Sequence, residues 1–402
     1  MKKILFINSS IYIPGEKAIK RTFFLFEMMR HQGYDVKFLT SDFNHYEKKQ
    51  RDVKVFYQNY PEYKECLYFV HKKPYKKNIS VKRFCSELQG EKEELKWFIK
   101  HGRPFDIVYI SWPTYYLAKH IRKYCDAYGI KLVIDINDLW PDSLKMVIKN
   151  NTLYDLLTKK FQNNTKVSFS NADGIVAVSE EYLQLACKDN TRATEKLAVY
   201  IGAMLDRFDA GVEKYASSIE KGTDDIWITY IGTLGCSYDF ETVMNAIQKL
   251  DNSQVCFKIL GQGPEESRLK ALAKSLNVQV DFIGFVEYEK MAAYLSKTDM
   301  CVNCIKQRAS QSIINKIADY FASGKPVINC GSCQEMIELI DRYDCGINYM
   351  AENVKSCADA IRTIISNPER AKVLGENARK LAELKFDRQS SHQEIIGMIE
   401  RI

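Results

Sequence analysis

The chain has 402 residues, 46% hydrophobic and 27% charged, which fits a globular protein of two or three domains. No apolar run approaches the roughly 18 residues of a membrane span, and the opening "MKKILFINSS" carries only "ILFI", which reads as a first core strand rather than a signal peptide. The net charge of +7 divides into +11 for residues 1–200 (34 Lys and Arg against 23 Asp and Glu) and −4 for residues 201–402 (24 against 28). The basic half suits an anionic membrane face or ligand, while tracts such as "HKKPYKK" (71–77) lack the glycine–aromatic signature of an RNA-binding sheet.

In chain order, strand-like runs are 3–8, 35–40, 53–57, 106–111, 131–136, 174–178 and 196–201, with helical patterns between them, as at 17–32 and 151–171. Residues 202–225 are polar and lack a clear apolar period. A second alternating set follows, with strands at 226–232, 255–261, 278–284, 299–305, 326–330 and 346–350. Apolar strands alternating with helices imply parallel sheets covered on both faces. Two such sets predict two Rossmann-like domains, 1–202 and 226–385, joined by a linker at 203–225. The last 50 residues are helical, and 386–402 is expected to pack back on the first domain.

Twelve cysteines without a secretion signal suggest reduced thiols in a cytosol. The pairs Cys301/Cys304 and Cys330/Cys333 imitate a four-cysteine zinc pattern. "DMCVNCI" reads as a strand, however, and residues i and i+3 of a strand face opposite sides, so no zinc or other metal is expected.

Four stretches bear on ligand chemistry. The first βα turn, "FINSSIYIPGEKAIKR", lacks G-x-G-x-x-G, and "LGQGPEESRL" has Gly261 and Gly263 but Glu266 at the third position, which argues against a nicotinamide cofactor. In "YIGTLGCSYDFETV" a strand runs into Gly232, Thr233 and Gly235 and then into a helix, an arrangement that presents N–H groups to a diphosphate; as a plain turn it would use Ser237 as the helix cap. In "SQSIINKIADYFASGKPVI", Lys316 and Asp319 share a helix face, as a surface pair or as a ligand clamp.

The ordered stretches "YIGTLGCSYDFETVMNAI", "ILGQGPEESRLKALA", "VDFIGFVEYEKMAAYLSKTDMCV" and "SIINKIADYFASGKPVI" resemble the nucleotide-sugar half of the family 4 glycosyltransferases. In the first half, "VIDINDLWPDSL", "ADGIVAVSEEYLQLA" and "VYIGAMLDRFD" extend the resemblance to nearly the whole chain, and "DLWPDS" is similar to the branch that builds capsule, O-antigen and exopolysaccharide. The resemblance implies the GT-B fold: two facing Rossmann-like domains with a cleft between them. It also implies transfer of a sugar, with retention, from a nucleoside diphosphate donor, a UDP-sugar rather than a GDP-sugar, without metal or other cofactor.

The family's E-x7-E motif falls on Gln311, which would face the sugar, and Asp319, which would hold the ribose. Its usual Arg and Lys after the first strand of the second domain fall on Thr233 and Tyr238, so Lys316 is the expected replacement, with Arg308 and Lys306 as further candidates. Gly15 matches one of two glycines of a phosphate-approaching loop, and Phe285 of "FIGFVEY" joins the donor side. Asp138 would accept the acceptor hydroxyl's proton or bind its sugar, with Asp135 as a weaker candidate. The implied partners are a nucleotide-sugar donor, a lipid-linked or oligosaccharide acceptor and the anionic inner face of the cytoplasmic membrane. Epimerisation of a sugar nucleotide, or an inactive binding scaffold, are the competing readings.

Overall fold

The structure, a computed structural model, describes residues 2–17, 20–78, 80–139, 141, 150–309 and 312–402. Runs such as "LFI" and "LVIDI" are apolar on both faces, so they are stable only inside sheets covered on both sides. They form β1 (Lys3–Ile7), β2 (Asp35–Ser41), β5 (Leu67–Val70), β6 (Ile107–Trp112), β7 (Lys131–Ile136), β8 (Gly174–Ala177) and β9 (Glu195–Ala198), a parallel sheet of order β5-β2-β1-β6-β7-β8-β9. Phe43–Asn44 (β3) and Lys49–Gln50 (β4) make a short antiparallel ribbon after β2.

The second sheet is also parallel: β10 (Ile226–Ile231), β11 (Val255–Leu260), β12 (Val280–Gly284), β13 (Met300–Cys304), β14 (Val327–Cys330) and β15 (Gly346–Asn348), in the order β12-β11-β10-β13-β14-β15. One large apolar cluster covers each face of this sheet. Three registered asparagines cross it as a ladder: Asn303 donates to Asn329 and Asn329 to Asn348, both at 2.7 Å. The chain divides into one unit of Met1–Val199 with His392–Ile402 and a second of Tyr200–Ser391.

Two elements differ from the sequence reading. The run at 53–57 is a helix, Val53–Asn59, because the Asp52 carboxylate caps it by accepting from the Lys54 and Val55 N–H groups; the edge strand is Leu67–Val70 instead. The polar stretch at 203–225 is not a bare linker. Leu205–Tyr215 is a helix that buries Leu205 and Phe208 and lets the Glu289 backbone come close at Gly211, where a Cβ would stand 2.6 Å from the Glu289 Cα. Its apolar positions are few because Gly211 makes contact by lacking a side chain.

The last helix, Arg388–Arg401, leaves the second unit and ends in the core of the first, where Ile395, Ile396, Met398 and Ile399 are at most 1% exposed beside Phe26, Val133 and Val176. Gly174 admits this helix, since a Cβ there would stand 2.5 Å from Ile402 Cδ1 and 2.9 Å from Met398 Cε. Ile396→Ala is expected to destabilise the first unit by about 2–5 kcal/mol, the usual cost of emptying a buried aliphatic site. A shift in its urea-unfolding midpoint measures this, and an unchanged midpoint would refute the packing.

Candidate functional site

The carboxyl end of β10 is built around two close backbone approaches. Gly232 has φ +118° and donates its N–H to the Leu260 carbonyl at 2.9 Å; Leu234 donates to the Gln262 carbonyl at 3.1 Å. The loops after β10 and β11 therefore run together as an extension of the ladder. Gly261 and Gly263 permit it, because a Cβ at 261 would stand 1.8 Å from the Gly232 carbonyl oxygen and one at 263 would stand 2.3 Å from the Leu234 carbonyl oxygen. A Cβ at Gly235 meets nothing within 4 Å, so that turn is open on its outer side. The Thr233 carbonyl accepts the Tyr230 hydroxyl at 2.8 Å. The following helix, Phe240–Leu250, starts later than Ser237: Asp239 is its cap, accepting from the Thr242 N–H at 3.2 Å, because the Asp239 N–H is first drawn to the Cys304 carbonyl.

Lys316, from the first turn of the Lys316–Ala322 helix, reaches this turn. Its ammonium stands 3.1 Å from the position of a Cβ on Gly232, 3.6 Å from the Tyr230 ring centre and 4.1 Å from that of Tyr238. The nitrogen is buried and donates no hydrogen bond to the described residues. Burial pulls its pKa down to about 7, with Cys304 opposing weakly. The position occupied by Tyr238 thus gives up a cation of its own and supplies a ring face for one arriving from another helix.

Asp319 lies one turn further on but turns to a different neighbour, accepting the Tyr288 hydroxyl at 2.8 Å. Burial raises its carboxyl to about 6, against smaller pulls from Tyr288 and Arg388. No Lys316–Asp319 ion pair forms among the described residues, so the surface-pair reading of this helix fails. Phe285, just past β12, is 71% exposed, an isolated apolar face. Lys306 spends its N–H on the Ser237 carbonyl, and the Arg308 side chain is exposed. Gln311 lies outside the described residues.

In the first unit, Pro14 and Gly15 (φ +86°) turn the chain, with Glu16 donating its N–H to the Ile13 carbonyl at 3.0 Å. Arg51 fixes this turn through Glu16 at 2.8 Å and the Ile11 carbonyl at 2.7 Å. Asp138 follows β7 and is exposed; the surrounding loops still raise its carboxyl above the ordinary range, against the Leu139 N–H and Arg83. Asp135 is not its equivalent, because it is fully buried and paired with Arg21 at 3.2 Å.

Sequence reading missed a stripe of buried carboxylates on the Val81–His101 helix. Glu91 accepts the N–H groups of Tyr115, Tyr116 and Leu117 at 2.6–2.7 Å and so satisfies the start of the Leu117–Tyr128 helix; burial raises it to about 7. Glu94 accepts the Ser9 hydroxyl, and burial raises it to about 8. Glu87 holds Lys72 at 2.5 Å. Lys72, counted among the basic surface residues, is fully buried by that pair, and the available cations there are Lys73, Lys76, Lys77 and Lys82. The spacing 87, 91, 94 is a helical face, but acids on such a face read as solvated unless their partners are known.

Cys301 and Cys304 belong to the clusters on opposite faces of the second sheet, as their strand spacing requires. Burial raises both thiols, so they are inert. No helix of the described residues is long and apolar enough to cross a membrane.

Residues 212–381 match the family described as glycosyl transferases group 1. A putative colanic acid biosynthesis glycosyl transferase, WcaI of Escherichia coli strain K12, is 22% identical over 300 residues, covering 71% of this chain and 72% of that protein. Among solved structures, Anabaena HepE in complex with UDP superposes with a TM-score of 0.72 at 14% identity, covering all of both chains. WaaG, a glycosyltransferase involved in lipopolysaccharide biosynthesis, does so with a TM-score of 0.66 at 14% identity, over 98% of this chain and all of that one. The α/β fold with two parallel sheets is that of the GT-B glycosyltransferases.

Lys316 gives a pH signature. Its folded pKa lies below the ordinary lysine value, so between about pH 7 and 10.5 the unfolded chain binds more protons and stability rises with pH. Lys316→Met is expected to be more stable than the parent by about 1–3 kcal/mol at pH 6.5, with the gain shrinking by pH 9.5. Urea unfolding at the two pH values checks it; a constant gain would refute the buried ammonium.

Proposed function

We propose that this glycosyltransferase, whose residues 212–381 match the glycosyl transferases group 1 family, moves a sugar, with retention, from a UDP-sugar to a lipid-linked glycan of a bacterial surface polysaccharide. The observation that carries this reading is the Lys316 ammonium, buried and without an anionic partner among the described residues, at the open Gly232–Gly235 turn. A diphosphate is the ligand that this cation suits; the expected cradle of N–H groups is largely spent, since Gly232, Leu234 and Gly235 donate to the Leu260, Gln262 and Thr233 carbonyls, so the ammonium carries most of the offset. Asp319 then accepts from the ribose hydroxyls, a task for which its Tyr288 partner already orients it. Phe285 offers its exposed ring to the base, whereas Gly15 gives no open approach, because a Cβ there would stand 2.5 Å from the Tyr60 hydroxyl. The UDP complex of HepE and the colanic acid role in the name of WcaI support the donor and the pathway class.

On this reading no metal takes part in the transfer. Lys316 offsets the leaving diphosphate, and Asp138 receives the acceptor hydroxyl's proton or holds its sugar. The raised pKa of Asp138 brings it closer to the range in which a carboxylate takes a proton. Asp319→Asn is expected to weaken UDP-sugar binding by about 1.5–3 kcal/mol, the size of a hydrogen bond to a charged group. The midpoint of unfolding at pH 8 should not fall, because an ionised Asp319 is itself a burden there: its folded pKa is raised, so its contribution to stability is lost as pH climbs through about 6. Calorimetric titration with excess chelator present measures the loss; undiminished affinity would exclude the ribose role, and activity that needs added metal would exclude the metal-free mechanism.

The membrane part of the reading rests on exposed Lys73, Lys76, Lys77 and Lys82 around Val81, which is 78% exposed. The rings of Phe84 and Phe161 meet at 5.4 Å and bring this basic turn beside the Asn151–Ser170 helix, whose Leu153, Leu156 and Leu157 are also exposed. Each lysine near an anionic surface contributes about 1 kcal/mol. Vesicles containing phosphatidylglycerol should bind the protein at low salt and release it as the screening length falls to about 8–10 Å. The fourfold Lys→Gln variant should lose most of that binding, whereas equal binding to neutral vesicles would contradict the surface charge.

A further inference from the structure

In the first unit the loops that follow the carboxyl ends of β1, β2, β5, β6 and β7 converge on one cluster of charged and aromatic side chains, the end of a parallel sheet at which ligands bind. Lys72 is consumed by Glu87 at 2.5 Å. Arg83 stands 3.7 Å from the same carboxylate, too far for a hydrogen bond, and gives one guanidinium nitrogen to the Asn78 carbonyl at 2.9 Å. The atom that faces Glu87 is its Nε, which is buried and makes no hydrogen bond among the described residues.

Lys48 sits in the four-residue loop of the β3–β4 ribbon at φ +58°, a region that side-chain-bearing residues adopt at a cost. The strain is locked by the Asn44 side chain, which accepts from the Tyr46 and Glu47 N–H groups, and by the Lys48 N–H to the Asn44 carbonyl at 2.9 Å. The Lys48 ammonium donates to the His45 carbonyl and lies 4.9 Å from the Tyr75 ring centre. Glu47 lies 3.9 Å from the Lys49 ammonium. His45 adds no anion, being bonded to the Tyr75 hydroxyl, which in turn donates to Glu87 at 3.2 Å. Burial first, then Lys48 and Arg83, hold His45 neutral, down to about 4.

Beside these cations Tyr12 and Tyr46 stack at 4.5 Å, with the Tyr46 ring 40% exposed. Asp138 feels Arg83 from the β7 side.

Resting on the glycosyltransferase reading above, we propose that Arg83 and Lys48 form an oxyanion subsite for the acceptor, taking the phosphate or carboxylate of an acidic sugar whose ring lies against Tyr12 and Tyr46. The acceptor is thereby named by chemistry: a hexose bearing an acidic group, phosphate-linked or uronic. Arginine suits the role because its planar donors match either oxyanion. Asp138, whose charge would repel the acidic group, is then left for a hydroxyl of that sugar.

The probes are glucose, glucose 1-phosphate and glucuronate, titrated into the full chain saturated with UDP and followed by ligand-observed NMR. At least one acidic sugar should bind about tenfold more tightly than glucose, the usual gain from a charge-assisted hydrogen bond. The preference should fall to within about twofold in Arg83→Gln and be reduced in Lys48→Gln, with the UDP dissociation constant unchanged in both. Preference for glucose 1-phosphate alone identifies a phosphate-linked acceptor, and preference for glucuronate alone a uronic one. Equal binding of glucose and both acids, or a preference that survives both substitutions, overturns the proposal. Absence of UDP binding by the parent chain would instead overturn the donor reading. If Arg83→Gln does not fold, Lys48→Gln alone decides.

Discussion

The carbonyl oxygen of Gly232 and the α-carbon of Gly261 come so close that no side chain fits at 261. This backbone contact governs the second unit. It zips the loops after β10 and β11 together through the Gly232–Leu260 and Leu234–Gln262 hydrogen bonds, and it aims the Gly232–Gly235 turn outward. With the turn so fixed, the space over Gly232 is left for something else, and Lys316 fills it from another helix, held by the faces of Tyr230 and Tyr238. Aromatic rings hold an ammonium without neutralising it, so the charge is left uncompensated in a way that an ion pair would forbid.

The first unit handles charge in the opposite manner. Its Val81–His101 helix turns three carboxylates inward, and each is used: Glu87 on Lys72, Glu91 on three N–H groups at the start of the next helix, Glu94 on Ser9. These bonds pin the loops after β1, β5 and β6 to one helix. A count of basic residues therefore overstates the surface potential where Lys72 is concerned and hides the buried acids that organise the loops. What remains accessible is a smaller basic rim, Lys73 to Lys82, and the separate Arg83–Lys48 pair.

The fold was legible because period-two and buried apolar runs leave little freedom. Strands from Lys3–Ile7 to Gly346–Asn348 lie where continuous apolar stretches put them, and the opposed faces of Cys301 and Cys304 follow from strand geometry alone. The errors have local causes. Val53–Asn59 carries β-branched and aromatic residues, yet an Asp52 cap and packing of Phe56 against Phe69 and Tyr63 favour a helix. Leu205–Tyr215 was hidden because Gly211 contributes by absence. In the candidate site, the reach of Lys316 could be anticipated from what the turn lacked. Its aromatic cage could not, because Tyr230 and Tyr238 come from the strand and turn and Lys316 arrives some 80 positions later. The inward carboxylates were illegible for the same reason: their partners lie on other loops.

Lys316 and Asp319 occupy one helix face but are kept apart, and the separation has an energetic logic. Had they paired, each would have neutralised the other, and a donor would have had to break a buried ion pair before binding. Instead Asp319 leans on an uncharged hydroxyl and Lys316 on uncharged rings, so both retain hydrogen-bonding capacity at a cost in stability. The cost is visible in the direction of their titrations: burial lowers the lysine to about 7 and raises the aspartate to about 6, each toward its neutral form. On the proposed reading a donor reverses both tendencies, since a diphosphate favours the charged lysine and ribose hydroxyls favour the charged aspartate. Binding then recovers what the empty site forgoes, which makes the local instability of this helix face a property of donor recognition rather than a flaw in packing.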